Sequence, residues 1–568
     1  MFEKVEKQVL SLLRESIEAY LASFPSLHQS LVKNLLDSVM IEIPKEKEFG
    51  DFSCSIALRM ASLLHRSARD VACEIAGALK DLAARQKDQR LIKSVEVKGA
   101  GFINIFFKDE VFFDLLTSIH LEGHHCGKMD LGQGQRLLLE FVSANPTGAL
   151  SVAHARQAAV GDALANVLAR AGYEVTREYY LNDEGNQINI LGRSIDLRYK
   201  ELAGEKIEFP EDHYQGTYIV DLARELLENS SSRKKIENLD PEKREIFFID
   251  YGVEKILAII KKELDDFGVH FDVWYSQKAL GKSGKIENVF KRFQEKGLIY
   301  ESEGALWFKS SQFGDDKDRV VRKSDGSYTY LAPDIAYHED KFKRGYGKLI
   351  DIWGPDHHGY IPRMKAAVQA LQQDKEALSI IIVQLATLFR QGVPVPMSTR
   401  KGQYVTLTEV LAEVGRDASR FFFLMRKTDS HLDFDLELAK KQTSENPVYY
   451  VQYAHARISG ILAGAKEKKI NLKSPDLSLL KEAEERDLMK ALFEFNYCLV
   501  VCAKQLEPYH LTAYLQSLAA TFHRFYDRHK VLSDDRNLTV ARLSLAAATK
   551  TILSAGLALL GVSSPEKM

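Results

Sequence analysis

Cysteine is scarce in this chain, with five residues in 568, and no two of them form a C-x-x-C pair. That spacing excludes the common zinc ribbons and dithiol redox motifs, so we expect reduced thiols in a cytoplasmic protein. The run His124-His125-Cys126 could suggest a metal site, but no second ligand pair follows at a usable distance. We therefore interpret this run as a loop between domains.

Long apolar runs and an excess of one charge are also missing. The most apolar region, residues 538–562, is interrupted by Arg542 and Lys550, which favours a packed helix over a membrane span. Acidic residues in the first helical stretch argue against a secretory signal peptide. The formal net charge is only −2, so any nucleic-acid binding must use local basic patches. A soluble chain of 568 residues predicts three or four domains.

The usual phosphate-binding motifs are absent, because the chain has neither a glycine-rich dinucleotide loop nor a Walker-type Gly-Lys-Ser/Thr. A βαβ unit is nevertheless predicted. Residues 136–142 favour a strand, 145–148 a turn, 154–171 a helix and 173–180 the next strand. The strand-to-helix junction of such a unit exposes N–H groups and the positive end of a helix dipole, which favours phosphate binding.

Two short motifs mark this chain. Ser151-Val152-Ala153-His154 opens the predicted helix, and Met397-Ser398-Thr399-Arg400-Lys401-Gly402 lies far downstream. They resemble the His-Ile-Gly-His and Lys-Met-Ser-Lys-Ser signatures of class I aminoacyl-tRNA synthetases, in the form of the arginyl-tRNA synthetases. Near the start, EIPKEKEFGDFS and VKGAGFINIFF resemble the additional N-terminal domain of that family. Near the end, ENPVYYVQYAHARISGIL and GLALLGVSSPEKM resemble its helical anticodon-binding domain, so the likeness spans nearly the whole chain.

The resemblance implies a multidomain α/β fold. Residues 1–112 would form an α+β domain that touches the tRNA elbow, and residues 130–400 a Rossmann-like catalytic domain with an insertion at about 200–310. Residues 401–444 would form a helical connector, and 445–568 an all-α anticodon-binding domain. From the residues alone, we expect 307–309, 320–323 and 350–353 to be strands of the central sheet.

The resemblance also implies the reaction, the ATP-dependent ligation of L-arginine to its tRNA through an arginyl-adenylate. The expected requirements are ATP and Mg²⁺, with no redox cofactor and no dedicated metal site on the protein. Neither step needs a covalent enzyme nucleophile, so catalysis depends on alignment and on stabilising phosphate charge. In this family amino-acid activation usually requires bound tRNA. We expect a cytoplasmic monomer that binds neither DNA nor a membrane.

The family pattern assigns candidate residues to each part of this reaction. The catalytic candidates are His154, Ser151, Arg400 and Lys401, with His154 expected to offer a cationic donor to the α-phosphate. The ATP-binding candidates are Ser151, His154, Gly354, Asp356, His357, Met397 and Ser398. The arginine-binding candidates are Glu140, Asn145, Tyr330 and Asp334. Carboxylates suit this last role because a planar guanidinium presents five donors in a fixed fork.

Departures from the family pattern leave alternatives open. Ser151 and Ala153 replace a histidine and a glycine of the first signature, and Pro396 and Thr399 occupy the lysine positions of the second. A paralogue that binds tRNA without charging it therefore remains an alternative. A class I synthetase for another amino acid is a second one, which the acidic pair Glu140 and Asp334 opposes.

One further cluster has two interpretations. Its members are basic residues that follow Asp334 closely: Lys341, Lys343, Arg344 and Lys348. They would either touch the acceptor stem of the tRNA or form a solvated face.

Overall fold

The computed structural model of the protein describes residues 2–25, 27–44, 46–85, 91–395, 404–471 and 473–568. The second signature lies outside these residues. The expectations for Met397, Ser398, Arg400 and Lys401 therefore concern a part of the chain that the structure does not describe.

The N-terminal unit combines five helices with a small antiparallel sheet of order β1-β3-β2. Its elements are α1 (Phe2–Leu21), α2 (Gln29–Asp37), β1 (Phe52–Cys54), α3 (Ile56–Leu64), α4 (Ala68–Arg85), β2 (Ile92–Lys98), β3 (Phe102–Phe107) and α5 (Asp109–Glu122). The pattern of residues 95–107 predicts a single strand, and this prediction was wrong because the chain reverses there to form two antiparallel strands. Gly99 and Gly101 adopt φ of 60° and 131°, which glycine accepts readily, and so separate β2 from β3.

The central sheet has five parallel strands in the order β11-β10-β4-β5-β6. Its first part comprises β4 (Arg136–Glu140), α6 (Val152–Arg170), β5 (Glu174–Leu181), α7 (Asn186–Leu202), α8 (Thr217–Glu228), α9 (Ser230–Glu237), α10 (Pro241–Asp266) and β6 (Val273–Ser276). The strand order reverses between β4 and β10, and ligands of open α/β sheets bind at the carboxyl ends of strands beside such a switch point. The strand β6 belongs to this sheet although it lies within the segment predicted as an insertion.

A second group of elements completes the catalytic region. It comprises α11 (Gln277–Lys282), α12 (Lys285–Glu295), β7 (Ile299–Ser302), β8 (Ala305–Phe308), β9 (Arg319–Arg322), α13 (Leu331–Lys343), β10 (Lys348–Trp353), α14 (Ile361–Ala370) and β11 (Leu378–Ile382). The strands β7, β8 and β9 form their own antiparallel sheet. The prediction that residues 307–309 and 320–323 join the central sheet was therefore wrong. Those strands are only partly buried, as in a sheet with one solvated face, whereas β10 is buried along most of its length.

The remaining elements form a small sheet and a set of long helices. They are β12 (Ala386–Arg390), β13 (Val393–Pro394), α15 (Leu407–Phe423), β14 (Leu432–Asp435), α16 (Leu436–Lys440), α17 (Pro447–Glu467), α18 (Ala483–Gln505), α19 (Tyr509–Arg528) and α20 (Arg536–Leu559). β12 pairs antiparallel with β13 and parallel with β14. Within the described residues, no helix is both long and apolar enough to cross a membrane.

The N-terminal unit packs on the C-terminal helices through aromatic side chains. Phe493 of α18 lies among Phe2, Phe52, Phe107 and Phe112, with ring centroids 5.0 to 6.0 Å apart. The same faces are joined by the ion pair of Lys490 Nζ with Asp51 Oδ1 at 2.7 Å, among others. The two ends of the chain therefore share one apolar contact region.

Candidate active site

The first signature forms the start of α6, immediately beyond the loop that follows β4. Ser151 is the residue before the first helical turn and has extended backbone geometry. Its N–H donates to His154 Nδ1 at 3.2 Å, and its hydroxyl lies at the same distance from that nitrogen. Serine thus caps the helix where the family signature has a histidine.

Burial fixes the charge of His154, and the cap fixes its tautomer. Burial lowers the pKa of His154 to about 4, so the ring is neutral at pH 7. Because Nδ1 accepts the Ser151 N–H, the ring proton resides on Nε2, which is then a neutral donor. The expectation that His154 offers a cationic donor was therefore wrong for the free protein.

The segment that leads into the first signature is hydrogen-bonded to the segment that follows the second. Ser151 forms a β-bridge with Thr406, and the Leu407 N–H donates to the Leu150 carbonyl at 2.8 Å. The Tyr404 hydroxyl donates to the Ala149 carbonyl at 2.9 Å. The residues that follow the second signature therefore lie against the loop that carries the first, as two motifs serving one site require.

A buried carboxylate reinforces this junction. Glu263, near the end of α10, is 4% exposed. One of its oxygens accepts the Leu150 N–H and the other accepts the Thr408 hydroxyl, each at 2.8 Å. Burial raises its pKa, although both hydrogen bonds oppose that shift. α10 thus contributes an acid that bonds both flanks of the junction.

The carboxyl ends of β4 and β10 hold a buried ion cluster. Glu140 and Asp351 are register partners in this parallel pair. Lys341 of α13 lies between them, with Nζ 2.6 Å from Glu140 Oε2 and 2.9 Å from Asp351 Oδ1. Burial lowers the pKa of Lys341, but the two carboxylates outweigh that effect and raise it overall. Burial also raises the pKa of Glu140, and the His338 Nε2–H donates to Asp351 Oδ2 at 2.8 Å.

The basic residues of the 341–348 segment therefore do not form one surface patch. Lys341 is fully buried, and Arg344 donates to the buried Glu178 at 2.8 Å. Lys343 is exposed and pairs with Glu339. Residues 341 and 344 are one helical turn apart and face the sheet, whereas 343 lies on the other side of α13. The alternative that all four residues form a solvated or tRNA-facing patch was wrong for these two.

Asp334, in the first turn of α13, has a different environment. Its Oδ2 accepts the Tyr360 hydroxyl at 2.7 Å. Burial raises its pKa, with the Tyr360 bond as the largest opposing influence. Among the described residues, no cation forms an ion pair with this carboxylate, although Lys341 and His338 lie close enough to lower its pKa slightly. Within the described part of the chain, Asp334 is therefore a carboxyl without a direct cationic partner.

Two tyrosines near this acid were missed by sequence reasoning. Tyr360 directly follows residues 354–359, of which only Gly354, Asp356 and His357 were predicted to contribute, as ATP-binding candidates. Tyr180, near the end of β5, is close enough to Asp334 and Glu140 for both to raise its pKa, after the larger effect of burial. The position of Tyr180 at a strand's carboxyl end was the available signal.

The loop after β4 is strained where it approaches these groups. Val142 and Ser143 have φ of 67° and 40°, values that β-branched residues in particular rarely adopt. The Ser143 hydroxyl donates to Glu140 Oε1 at 3.0 Å and accepts the Tyr180 N–H at 3.0 Å. The strained backbone thus places one hydroxyl between the ends of β4 and β5.

The other candidates lie around this cluster with fewer contacts. Asn145 donates to Gln187 Oε1 at 2.7 Å, and Tyr330, at the start of α13, is 80% exposed. Asp356 and His357 lie in a short 3-10 helix after β10 and are exposed. An added Cβ on Gly354 would lie 3.6 Å from Gln157 of α6, so this segment passes close to the signature helix. The described residues contain no group of three His, Cys, Asp or Glu that could hold a metal ion.

Three protein-family models match the chain in succession. They are the "Arginyl tRNA synthetase N terminal domain" over residues 11–107, "tRNA synthetases class I (R), catalytic domain" over 116–459, and the "DALR anticodon binding domain" over 451–568. The order of these matches agrees with the predicted order of an α+β domain, a Rossmann-like domain and a helical domain.

Whole proteins match as well. The chain is 47% identical to an arginine–tRNA ligase of Desulfosudis oleivorans, covering 95% of this chain and 96% of that one. It is 48% identical to the ligase of Citrifermentans bemidjiense at the same coverages. The arginyl-tRNA synthetase structure from Thermus thermophilus has a TM-score of 0.76 at 21% identity, over 99% of this chain and 100% of that one, which shows the shared fold. The predicted multidomain fold is confirmed, and the chain belongs to the arginyl-tRNA synthetases, class I ligases that charge tRNA with arginine at the expense of ATP.

Proposed function

We propose that the cleft at the carboxyl ends of β4 and β10 performs both steps of arginine charging. The arginine carboxylate attacks the α-phosphate of ATP and expels pyrophosphate, which leaves an arginyl-adenylate. A ribose hydroxyl at the end of the tRNA then attacks the acyl carbon and releases AMP. Both steps depend on alignment and charge stabilisation.

The observation that carries the arginine-binding part is the carboxylate of Asp334, which has no direct cationic partner among the described residues. Glu140, Asp351 and Glu178 already have cationic partners, whereas Asp334 receives a neutral hydroxyl from Tyr360. A guanidinium entering the cleft would supply the missing cation and bond in fork geometry. Glu140, which already shares Lys341 with Asp351, would accept a second hydrogen bond from the same guanidinium.

His154 would act at the phosphate. Its neutral Nε2–H lies at the N-terminus of α6, where the helix dipole also favours an anion. Ser151 would hold the ring through the cap rather than donate to ATP itself. Gly354, Asp356 and His357 remain proposals for the adenosine, and Met397, Ser398, Arg400 and Lys401 for the phosphates. Asn145 and Tyr330 remain proposals for arginine.

Magnesium would arrive with ATP. Glu140 and Asp351 share Lys341 and are poor ligands for a second cation, so the ATP phosphates themselves would hold the ion. We also propose that the enzyme works as a monomer in the cytoplasm, where ribosomes consume charged tRNA. Sedimentation at assay concentration tests the monomeric state.

The test is a charging assay with Asp334→Asn and a control, Asp325→Asn, which makes the same change in an exposed turn. The unaltered protein should charge tRNA with arginine and with no other amino acid. Asp334→Asn should lower kcat/KM for arginine by about two to four decades, because leaving a buried charge unpaired costs roughly 3–5 kcal/mol. Normal charging by Asp334→Asn would remove this residue from the arginine site.

A further inference from the structure

Arg156 is a buried cation whose guanidinium donates hydrogen bonds to backbone carbonyls. It lies two residues after His154 on α6 and is fully buried. Nη1 donates to the Gln384 carbonyl at 2.7 Å and to the Ser430 carbonyl at 2.9 Å. Nη2 donates to the Lys427 carbonyl at 2.9 Å. Burial lowers its pKa to about 10, and carboxylates in the vicinity oppose that shift without pairing directly.

These carbonyls belong to the segments that lead into two strands of the small sheet. Gln384 lies just before β12, and residues 427–430, which we name the 427–430 turn, lie just before β14. Both segments also bond each other, since the Gln384 N–H donates to the Thr428 carbonyl at 2.8 Å. β12 continues through β13 toward residues 396–403. One guanidinium on the signature helix therefore fixes the base of the sheet that leads to the second signature.

The opposite side of the 427–430 turn is held by the C-terminal helices. Glu507 lies between α18 and α19. It accepts the Thr428 hydroxyl at 2.8 Å and the Thr428 N–H at 3.2 Å. Thr428 is itself buried. The turn is thus bonded by a cation from the signature helix and by an anion from the C-terminal helices.

We propose that Arg156 is a positioning residue for amino-acid activation, and that Glu507 acts through the same turn. Together they would set the distance between the N-terminus of α6 and the small sheet, so that groups on the two elements meet ATP in register. The proposal rests on the proposed function, because it assumes that both signatures serve the adenylate step. Small misplacements matter for such a step, since a shift of ~1 Å can slow a reaction by about a hundredfold.

The test uses arginine-dependent ATP–pyrophosphate exchange at saturating tRNA, with melting temperature measured in parallel. Arg156→Lys keeps the charge, but an ammonium cannot reach carbonyls in two segments as a planar fork does. Its kcat should fall by about tenfold or more, with KM for arginine little changed. The matched control is Arg542→Lys, a buried arginine that bonds Glu485 and a carbonyl within the C-terminal helices.

Glu507→Gln keeps the test decisive if Arg156→Lys does not fold. It should also lower kcat, whereas Glu485→Gln, which alters a fully buried glutamate of the same helices, should lower only the melting temperature. The double variant should lose less than the product of the two single losses, since both act on one turn. An unchanged kcat in Glu507→Gln would overturn the proposal. So would a loss of kcat in the control variants as large as that in the test variants at the same fall in melting temperature. Failure of the unaltered protein to charge arginine would instead overturn the proposed function.

Discussion

At the scale of single residues, the Ser151–His154 cap is the most informative departure from the family signature. The serine N–H fixes the histidine tautomer, and burial keeps the ring neutral. A neutral N–H donor stabilises phosphate charge less than a cation, but it needs no proton to be taken up before reaction. Because the Ser151 N–H belongs to the backbone, the departure from histidine to serine leaves the donor on His154 in place.

Two substitutions test this assignment. We expect His154→Ala to slow activation by about a hundredfold, the lower end of the range for one lost electrostatic donor, and Ser151→Ala to slow it less. The ratio of unaltered to His154→Ala rates should stay constant between about pH 6 and 8, because a group with a pKa near 4 does not titrate there. Pyrophosphate exchange across pH gives both results. A ratio that changes through an inflection near pH 6.5 would show that the imidazole is protonated in the working enzyme.

The same histidine links acidity to stability. Its pKa lies at about 4 in the folded protein and near 6.5 in an unfolded chain. Between these values the unfolded chain binds the proton more readily, so the contribution to stability is present above about pH 6.5 and is lost as pH falls toward 4.

The candidate residues show where sequence pattern stops being informative. Glu140 and Asp334 were both predicted to bind arginine because each occupies a family position. Nothing in the sequence shows that Lys341 pairs with Glu140 and not with Asp334, because the paired residues lie 201 positions apart. The basic residues near Lys341 in the sequence suggested a surface patch instead. Only the packing of α13 against the sheet shows that Lys341 is buried.

At the scale of elements, local patterns were predicted well and strand partners were not. The strand, helix and strand from β4 to β5 were predicted because each is long enough to show its own period. β8 and β9 each have four residues, too few to show which sheet they join. β6 was likewise missed because its neighbours are charged helices and its membership depends on pairing with the distant β5.

Glu263 offers a test of how elements are joined around the site. Glu263→Leu would leave the buried Leu150 N–H without an acceptor, at a cost of about 1–3 kcal/mol in the free energy of unfolding. It should also slow activation, because the junction of the two signature flanks loosens. Glu263→Gln is the matched control, since its amide oxygen can still accept the N–H. Calorimetry and pyrophosphate exchange measure the two effects, and full activity in the leucine variant would show that the backbone bonds alone suffice.

At the scale of the whole molecule, the N-terminal unit and the C-terminal helices depend on one aromatic contact region. Phe493→Ala should lower the free energy of unfolding by roughly 3–5 kcal/mol, as large cavities in a packed core do. Limited proteolysis should then cleave between the N-terminal unit and the catalytic region. The control is Phe522→Ala, a fully buried phenylalanine within the C-terminal helices. Similar cleavage in both variants would show that Phe493 contributes only general stability.

The carboxylate of Asp334, which has no direct cationic partner among the described residues, affects how the site treats analogues of the substrate. Citrulline has nearly the shape of arginine but carries a neutral urea in place of the guanidinium. An ionised Asp334 would be left without a counter-charge by citrulline, which a buried acid tolerates poorly. Burial already raises the pKa of this carboxyl, so acidification would protonate it before most surface acids and would remove that penalty. The choice between arginine and citrulline would thus depend on whether the Asp334 carboxyl is protonated.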